Sequence, residues 1–409
     1  MVIAGAGQAG FQVAASLRME GYDEPITLIG DEPNLPYQRP PLSKGFMAGK
    51  QAIDGTVLRP LAFYQSHGIE LVTGAMITGI DRVGRSVKLA SGQSVPYATL
   101  VLAVGARNRR LPVTGAELDG VCYLRTDAEA VEIRQRLEHA RDIVVIGGGF
   151  IGLELAAAAR AQGKSVRVIE VQARLMPRAV SGILSDFYRE VHLSQGVGIS
   201  LGVAVSEIAG YQGKVAEVIL SDGCVHPADL VLVGIGVVPN IELALDAGLS
   251  ISNGVADDEY LRTDDPSIYA LGDCAEHPNP FAGPVTDPRG GGRVRIESVQ
   301  NAVDQAKCIA AAIVGRSEKY RAVPWFWTDQ FDIKLQMAGL SGGCEQVATR
   351  GEPESRKFSV FYFRDGRLAA VDSVNRPGDH LAARRLLGAG SEITPGQAAD
   401  LSLDLKALT

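Results

Sequence analysis

The sequence predicts an α/β protein with two Rossmann-like dinucleotide-binding domains, followed by a smaller α+β domain. Residues 2–17 (VIAGAGQAGFQVAASL) and 144–159 (VVIGGGFIGLELAAAA) each read as an apolar strand, a glycine turn and a helix. Their first glycines, Gly5 and Gly147, lie 142 residues apart, which is the spacing of domains rather than of short repeats. From about residue 318 onward, aromatic residues and alternating strands replace this pattern, which indicates a separate C-terminal unit.

The other elements support parallel sheets in the first two domains. A second apolar strand follows each helix, in PITLIGDE and SVRVIEV, and further strands are predicted at 100–106 and 230–240. Residues 127–140 have the spacing of an amphipathic helix, with Ala130, Ile133 and Leu137 on one side. Apolar strands separated by helices predict parallel sheets covered on both faces. The Pro/Gly-rich stretch 278–294 is predicted to be an exposed loop.

Composition excludes several classes of function. The chain has 409 residues, 46% of them hydrophobic, with a net charge of −7 and a pI near 5.5. An acidic chain argues against general binding of nucleic acid or anionic membranes, and no apolar run is long enough to span a bilayer. Five scattered cysteines without metal-ligand spacing suggest free thiols in a reducing compartment and no metal site. We therefore expect a cytoplasmic protein, and the N-terminus shows no export signal.

Both glycine turns carry the pattern of a dinucleotide-binding fingerprint. In such a turn the first glycine allows a tight bend and the second lets the backbone approach a pyrophosphate. The third brings the helix against the strand, and the pyrophosphate rests on the helix N-terminus. Two complete copies predict two bound dinucleotides. The fingerprint glycines are Gly5, Gly7 and Gly10 in the first turn and Gly147, Gly149 and Gly152 in the second.

An acidic residue at the end of the second strand commonly holds a ribose diol. Asp31 lies 21 residues after Gly10, and Glu170 lies 18 residues after Gly152, near the expected offset. A carboxylate at position 170 also disfavours the 2′-phosphate of NADP, so NADH is the expected nucleotide. Arg174 lies close to Glu170 in sequence, and its positive charge leaves NADPH as an alternative nucleotide.

A third motif distinguishes the two nucleotide sites. The segment TDDPSIYALGD, residues 263–273, resembles the second flavin-binding signature of two-dinucleotide-binding flavoproteins, in which an aspartate, here Asp273, faces the ribityl chain of FAD. The resemblance assigns FAD to the first unit and NADH to the second. It predicts a discontinuous FAD-binding domain (1–106 and 237–317), an NAD-binding domain (107–236) and a C-terminal α+β domain (318–409).

The segment YQRPPLSKG, residues 37–45, lies where many flavin disulfide reductases carry a reactive cysteine pair, yet it contains no cysteine. Together with GGGFIGLE, YALGDC, VRIESVQNA and PWFWTDQ, it makes the chain resemble the NADH-dependent ferredoxin reductases of oxygenase systems, over essentially its whole length. That resemblance implies a glutathione-reductase-like fold. It also implies an ion pair between Lys44 and Glu154 beside the flavin N5. These two residues are expected to serve the reaction.

The family pattern further implies the residues that bind the cofactors. For FAD they are Gly5, Gly7, Ala9, Gly10, Asp31, Glu32, Arg39, Lys44, Ile77, Arg125, Asp273, Val299 and Trp327. For NADH they are Gly147, Gly149, Ile151, Gly152, Glu154, Glu170, Gly236 and Glu297.

The implied activity is electron transfer from NADH through FAD to a [2Fe–2S] ferredoxin that feeds a P450 or a ring-hydroxylating dioxygenase, as in aromatic hydrocarbon catabolism. Residues 289–334 carry a net charge of +3, which suggests docking of an acidic ferredoxin near Arg289, Arg293, Arg295 and Arg316. The alternatives are an NADH oxidase or disulfide reductase, and an apoptosis-inducing-factor-like flavoprotein with a binding role. The sequence leaves open the terminal oxygenase, a plant-type or Rieske-type ferredoxin, and a monomer or homodimer.

Overall fold

A computed structural model of the chain describes residues 1–283 and 292–408. Within these residues, no helix has the length and hydrophobicity that a bilayer crossing requires. The described α-helices are Gln8–Met19, Leu61–Ser66, Asp127–His139, Phe150–Ala161, Gly182–Ser194, Glu242–Asp246, Val299–Ile313, Pro377–Ala389 and Pro395–Ala399. Shorter 3₁₀ segments are Ile53–Thr56, Gly272–Cys274, Pro353–Ser355 and Leu405–Leu408, and Leu42–Phe46 is π-helical.

The first domain is built on a parallel sheet whose strands come from distant parts of the chain. Helices Gln8–Met19 and Val299–Ile313 pack against each other beside this sheet, so its apolar strands are buried. Its last strand lies beyond the whole second sheet in sequence, so the chain leaves this domain and returns to it. The strand order is Ile268–Ala270, Leu100–Leu102, Val2–Ala4, Ile26–Ile29 and Ile69–Val72.

The second domain repeats this architecture. Its five parallel strands occur in the order Gly198–Leu201, Ser165–Glu170, Asp142–Ile146, Leu230–Val233 and Val121–Tyr123. Each parallel sheet is accompanied by a three-stranded antiparallel sheet. The first is formed by Ile77–Asp81, Ser86–Leu89 and Ser94–Pro96, and the second by Val205–Tyr211, Lys214–Leu220 and Val225–Pro227.

The two passages of the chain between these domains pair with each other. Strand Ala106–Asn108 runs antiparallel to Val237–Pro239. The prediction of single strands at 100–106 and 230–240 was wrong, because each is interrupted by a glycine in the left-handed region. Gly105 has φ +68° and Gly236 has φ +99°. The chain bends there, leaves its parallel sheet and forms the interdomain pair.

The predicted amphipathic helix is confirmed as Asp127–His139, and Ala130, Ile133 and Leu137 are its buried residues. Its start is fixed by a capping box: the Thr126 hydroxyl accepts a hydrogen bond from the backbone N–H of Glu129, whose side chain returns to the backbone N–H of Thr126.

The C-terminal unit is an antiparallel sheet covered by helix Pro377–Ala389. The alternation predicted for this region is visible in KFSVFYF, where the rings of Phe358, Phe361 and Phe363 are fully buried. The ends of the predicted 278–294 loop are strands Ala275–Pro278 and Arg293–Val294, which pair antiparallel. The order of the C-terminal strands is Trp325–Gln330, Ile333–Gly339, Arg367–Val374, Lys357–Arg364 and Gln346–Glu352.

A buried carboxyl lies where this unit meets the second domain. The Tyr362 hydroxyl donates a hydrogen bond to Oδ2 of Asp372 at 2.6 Å and accepts one from the backbone N–H of Ser181 at 3.1 Å. Burial raises the pKa of Asp372 to about 7, although the hydrogen bond from Tyr362 opposes this shift. The carboxyl is therefore more easily protonated in the folded protein than in the unfolded chain.

This raised pKa predicts a pH-dependent stability. The contribution of Asp372 to the free energy of unfolding is fully present below pH 4 and is lost as the pH rises through about 7. Each unit of pKa shift corresponds to about 1.4 kcal/mol. Asp372→Asn stays neutral and keeps an oxygen for Tyr362. We expect its free energy of unfolding, measured with urea, to exceed that of the wild type increasingly between pH 5 and pH 8. The exposed Asp365→Asn serves as control, and parallel curves for wild type and Asp372→Asn would contradict the prediction.

Candidate active site

The first glycine turn joins strand Val2–Ala4 to helix Gln8–Met19. Gly5 has φ +108°, and a Cβ on it would lie 2.2 Å from the carbonyl oxygen of Ala103. A Cβ on Gly10 would lie 1.9 Å from the carbonyl oxygen of Gly5. Around the Cβ position of Gly7, by contrast, no heavy atom of the described part of the chain lies within 4 Å. The fold requires the outer two glycines, whereas Gly7 leaves space open at the helix N-terminus, where a pyrophosphate would bind.

The second turn has the same geometry. Gly147 has φ +110°, and its Cβ would lie 2.4 Å from the carbonyl oxygen of Gly234. A Cβ on Gly152 would lie 2.1 Å from the carbonyl oxygen of Gly147. At Gly149 the nearest described atom would be 4.0 Å away. The structure therefore contains two similar cradles, each with one glycine whose missing side chain leaves room for a ligand.

The two cradles differ at the end of the neighbouring strand. Ile29 pairs with the last residue of the first strand of its sheet, and Ile169 does so in the second sheet. The residues that follow them, Gly30 and Glu170, are therefore equivalent positions. The acidic residues of the first unit come one and two positions later, at Asp31 and Glu32.

This difference is matched inside the turn itself. A Cβ on Gly30 would lie 2.5 Å from the Cβ of Ala6, so the methyl group of Ala6 takes up that space. In the second unit Gly148 has no side chain, and Oε2 of Glu170 accepts its backbone N–H at 2.7 Å. Glu170 is buried and is fixed against the second cradle.

The acidic residues of the first unit have separate environments. Asp31 is exposed beside the first cradle. Oε1 of Glu32 accepts a hydrogen bond from Arg39 at 2.5 Å, and its Oε2 accepts one from the Tyr37 hydroxyl, also at 2.5 Å. Arg39 in turn donates to the backbone carbonyl of Arg125 at 2.6 Å.

This network reaches the aspartate of the flavin-like signature. Arg125 forms an ion pair with Oδ2 of Asp273 at 2.9 Å. Asp273 follows Gly272, whose Cβ position lies 3.3 Å from the Cβ of Ala9 in the first cradle. Residues separated by more than 200 positions in sequence are thus brought to one side of the first sheet.

The Lys44–Glu154 pair is the most buried ion pair of the site. Nζ of Lys44 lies 2.7 Å from Oε1 of Glu154, and the Glu154 side chain is only 1% exposed. Two further donors bind this carboxylate: the Ser43 hydroxyl reaches Oε2 at 2.5 Å, and the Thr328 hydroxyl reaches Oε1 at 2.6 Å. A buried carboxylate requires such partners.

Ser43 and Thr328 are site residues that the sequence analysis did not identify. Ser43 and Lys44 are adjacent, and they reach the same carboxylate because residues Leu42–Phe46 form a wide π-helical turn after the Pro40–Pro41 break. Thr328 points inward from strand Trp325–Gln330, where it is fully buried. Its signal in the sequence was a polar residue in a strand of aromatics, which does not reveal its partner.

A cavity of about 250 Å³ lies beside the ion pair. Lys44, Val299 and Trp327, three of the residues predicted to bind FAD, come together in its wall from three distant segments. Its other lining residues are Gln8, Gln38, Pro40, Pro41, Gly45 and Gln51.

The other predicted contacts are near the cradles or the signature segment. Ile151 is an exposed apolar residue in the first turn of helix Phe150–Ala161. Glu297 is paired with Arg295 at 2.5 Å, and that arginine donates to the carbonyl of Asp273. Ile77 begins strand Ile77–Asp81. It lies two residues after Ala75, whose backbone N–H donates to the carbonyl of Gly30. Their contacts with cofactors remain predictions.

The basic residues suggested for docking are in very different positions. Arg289 lies outside the described residues. Arg293 and Arg295 have side chains only 12% and 10% exposed, each paired with a glutamate. Arg316 alone extends into solvent, and it contacts Glu20. Docking of a ferredoxin near these residues stays a prediction, although the guanidinium groups of Arg293 and Arg295 are paired inside the domain.

The five cysteines are all free thiols. Cys274 is nearest to the site in sequence, directly after Asp273, but it is fully buried, and its single S–H lies within hydrogen-bonding distance of the backbone carbonyls of Leu102 and Leu271. Burial raises the pKa of its thiol to about 11. A thiol in this state is not the thiolate that thiol–disulfide exchange requires.

Taken together, these residues fit two dinucleotides. Each open cradle faces a helix N-terminus, where backbone N–H groups bind phosphate. The cavity beside Lys44 has an aromatic side chain, that of Trp327, in its wall, which suits a planar ring system. Lys44 and Glu154 join the first domain to the second at this point, so a group bound by one cradle would meet a group bound by the other.

Family models match nearly the whole chain. Residues 1–306 match the pyridine nucleotide-disulphide oxidoreductases, and residues 325–409 match the reductase C-terminal domain. The chain is 48% identical over 406 residues to the rhodocoxin reductase of Rhodococcus erythropolis, an alignment covering 99% of this chain and 93% of that protein.

Solved structures show the same similarity. The ferredoxin reductase of the CYP199A2 system from Rhodopseudomonas palustris superposes with a TM-score of 0.95 at 47% identity, covering 100% of this chain and 99% of the other. The putidaredoxin reductase–putidaredoxin complex gives a TM-score of 0.94 at 39% identity, covering 100% and 97%.

The open second glycines allow the two cradles to be tested separately. Both Gly7 and Gly149 have extended backbone that alanine adopts, so Gly7→Ala and Gly149→Ala should fold normally. We expect Gly7→Ala to lose FAD, at least tenfold in affinity, because its methyl group enters the pyrophosphate space. Gly149→Ala should keep FAD and raise the KM for NADH. Flavin absorbance after gel filtration and steady-state kinetics measure both effects, and the reverse pattern would exchange the two sites.

Proposed function

Because the chain belongs to the pyridine nucleotide-disulphide oxidoreductase family, and within it to the ferredoxin reductases, we propose that it carries electrons from NADH through FAD to a [2Fe–2S] ferredoxin. That ferredoxin serves a P450 or a ring-hydroxylating dioxygenase system. The observation that carries the proposal is the buried Lys44–Glu154 pair, set between two open glycine cradles and without a thiol.

FAD, when bound, supplies the chemistry that links a two-electron donor to a one-electron acceptor. The residues around the cavity do the rest. Lys44 presents a positive charge at the cavity wall, where it favours negative charge on a reduced ring system. Glu154 holds that ammonium group in position, and Trp327 presents an aromatic surface in the cavity wall.

We assign the cofactor contacts as the family pattern implies. FAD is held by Gly5, Gly7, Ala9, Gly10, Asp31, Glu32, Arg39, Lys44, Ile77, Arg125, Asp273, Val299 and Trp327. NADH is held by Gly147, Gly149, Ile151, Gly152, Glu154, Glu170, Gly236 and Glu297. The FAD-binding domain comprises 1–106 and 237–317, the NAD-binding domain 107–236 and the C-terminal domain 318–409. The free thiols suit a reducing cytoplasm.

The second cradle suits NADH better than NADPH. Glu170 is fixed at the cradle by the backbone N–H groups of Gly148 and Gln172, which places its carboxylate where a ribose diol would bind. Arg174, the residue that left NADPH as an alternative nucleotide, makes its hydrogen bonds within the domain. Its guanidinium donates to the carbonyls of Val180 and Pro177 and to the hydroxyl of Ser185.

The disulfide-reductase alternative requires a thiolate next to the flavin. Ser43 occupies the segment where such a thiol would lie, and its hydroxyl is committed to Glu154. Cys274 has a raised pKa and is bonded to carbonyl oxygens. Neither residue would therefore supply the thiolate that a disulfide reductase needs beside a bound flavin.

Reduction of purified ferredoxins tests the proposed function. With NADH and a panel of plant-type and Rieske-type [2Fe–2S] proteins, we expect at least one to be reduced catalytically, followed by cytochrome c absorbance. NADPH should be far less effective. Rapid anaerobic bleaching of the flavin by NADH should accompany this activity. Slow bleaching with no ferredoxin reduced would instead favour the apoptosis-inducing-factor-like role.

For the partner, we propose that Arg316 acts as a steering charge rather than as the point of electron exit. It follows helix Val299–Ile313, whose first residue lines the cavity. Fifteen residues of helix span about 22 Å, so Arg316 is far from the ring site. Exposed charges at such a distance guide the approach of an acidic protein more than they hold it. Arg321, also exposed, lies nearby in sequence.

Charge reversal tests this steering role. In the double variant Arg316→Glu and Arg321→Glu we expect the KM for ferredoxin to rise severalfold at low salt, with kcat unchanged. The difference should disappear at high salt because exposed charges are screened. Arg189→Glu, on an exposed face of helix Gly182–Ser194, is the matched control. A salt-independent effect, or none, would show that these arginines do not steer the partner.

A further inference from the structure

Glu154 is connected to a line of buried side chains that the proposed reaction does not use. Beyond Thr328, Nε2 of Gln330 lies 3.2 Å from the Thr328 hydroxyl oxygen. On its other side, Oε1 of Gln330 lies 2.9 Å from Nε2 of His192. Thr328, Gln330 and His192 are each buried. We call these three residues the relay.

The direction of every hydrogen bond in the relay follows from the charge at its end. A carboxylate only accepts, so the single hydroxyl proton of Thr328 is donated to Glu154. The Thr328 oxygen therefore receives its second hydrogen bond from the amide N–H of Gln330. This turns the amide oxygen of Gln330 toward His192, whose Nε2 must then carry a proton.

The surroundings of His192 agree with that assignment. Among the described residues Nδ1 of His192 has no hydrogen-bond partner. Burial lowers the pKa of His192, although the hydrogen bond to Gln330 opposes this shift, so the ring is neutral near pH 7. The Phe331 ring packs against it in a T-shaped arrangement, with 5.0 Å between the ring centroids. A neutral ring with its proton on Nε2 leaves only Nδ1 unpaired among the described residues.

The relay crosses the domains. His192 lies on helix Gly182–Ser194 of the second domain, and Gln330 and Thr328 lie on the first strand of the C-terminal sheet. Glu154 belongs to helix Phe150–Ala161 of the second domain, and its cation, Lys44, comes from the first domain. Tyr188 interacts electrostatically with Glu154, Asp329 and Asp372, and burial raises the pKa of its hydroxyl.

We propose that Thr328, Gln330 and His192 are positioning residues that fix the orientation of the Glu154 carboxylate and partly neutralise its charge, so that the C-terminal domain sets the electrostatic environment of Lys44. Hydrogen bonds aligned head to tail polarise one another, which strengthens the last bond, to the carboxylate. This proposal rests on the proposed function only in that the ring beside Lys44 is taken to be a flavin.

A valine in place of Thr328 removes the hydroxyl with little change of volume. With one donor fewer, Glu154 presents more negative charge beside the ring site, so the midpoint potential of bound FAD should fall. We expect a tenfold change in the two-electron equilibrium, about 30 mV. Thr328→Ser restores the hydroxyl and should restore the potential. Thr349→Val, the same substitution on another strand of the sheet, should leave it unchanged.

Gln330→Met separates the two ends of the relay, because it keeps the Thr328 hydroxyl but breaks the connection to His192. A smaller fall in potential is expected there. Potentials equal to the wild type in Thr328→Val, with unchanged thermal stability, would overturn the proposal. A fall that Thr328→Ser does not reverse would also overturn it, since packing rather than the hydroxyl would then be responsible.

A second measurement uses the unmodified protein and does not depend on variants that fold. In ¹⁵N-histidine-labelled protein, we expect His192 to give the signals of a neutral ring protonated on Nε2 between pH 7 and 8. A proton on Nδ1, or a charged ring, would contradict the hydrogen-bond directions. If instead NADH fails to reduce the wild-type flavin, the proposed function is wrong, while the tautomer of His192 still tests the relay.

Discussion

The burial of one negative charge, that of Glu154, constrains how the three domains fit together. A carboxylate that is almost completely removed from water is tolerated only when its oxygens are saturated by donors. Its partners are Lys44 and Ser43 from the first domain and Thr328 from the C-terminal domain. No single domain could satisfy it. The same contacts that hold this charge therefore hold the domains around the cavity, which links the stability of the assembly to the site.

The two nucleotide cradles show how one local design is adapted to two tasks. In both, the outer glycines are required because a side chain would collide with backbone, and the middle glycine leaves a space. The adaptation is a reciprocal exchange of small and large residues. Ala6 faces Gly30 in the first cradle, and Gly148 faces Glu170 in the second. A carboxylate is thereby placed directly at the second cradle, whereas the first has its acidic groups farther along the loop.

The segment after Pro41 contains no thiol. The Pro40–Pro41 break and the wide turn that follows it carry the Ser43 hydroxyl and the Lys44 ammonium group. Both groups bind the same glutamate, Glu154, so the segment offers no thiol chemistry. What remains is a positive charge in the wall of a cavity lined by one aromatic, several apolar and three glutamine side chains.

The sequence by itself determined the two nucleotide-binding units, the C-terminal α+β unit and the fingerprint glycines, because these depend on local periodicity and on backbone conformations that only glycine adopts. Family resemblance supplied the Lys44–Glu154 pair. Only the tertiary structure showed that Ser43, Thr328, Gln330 and His192 join that pair, that Arg293 and Arg295 are paired inside the first domain, and that glycines 105 and 236 split two strands. These features arise where segments distant in sequence meet, and a hydrogen bond between distant segments leaves no periodic signal in either of them.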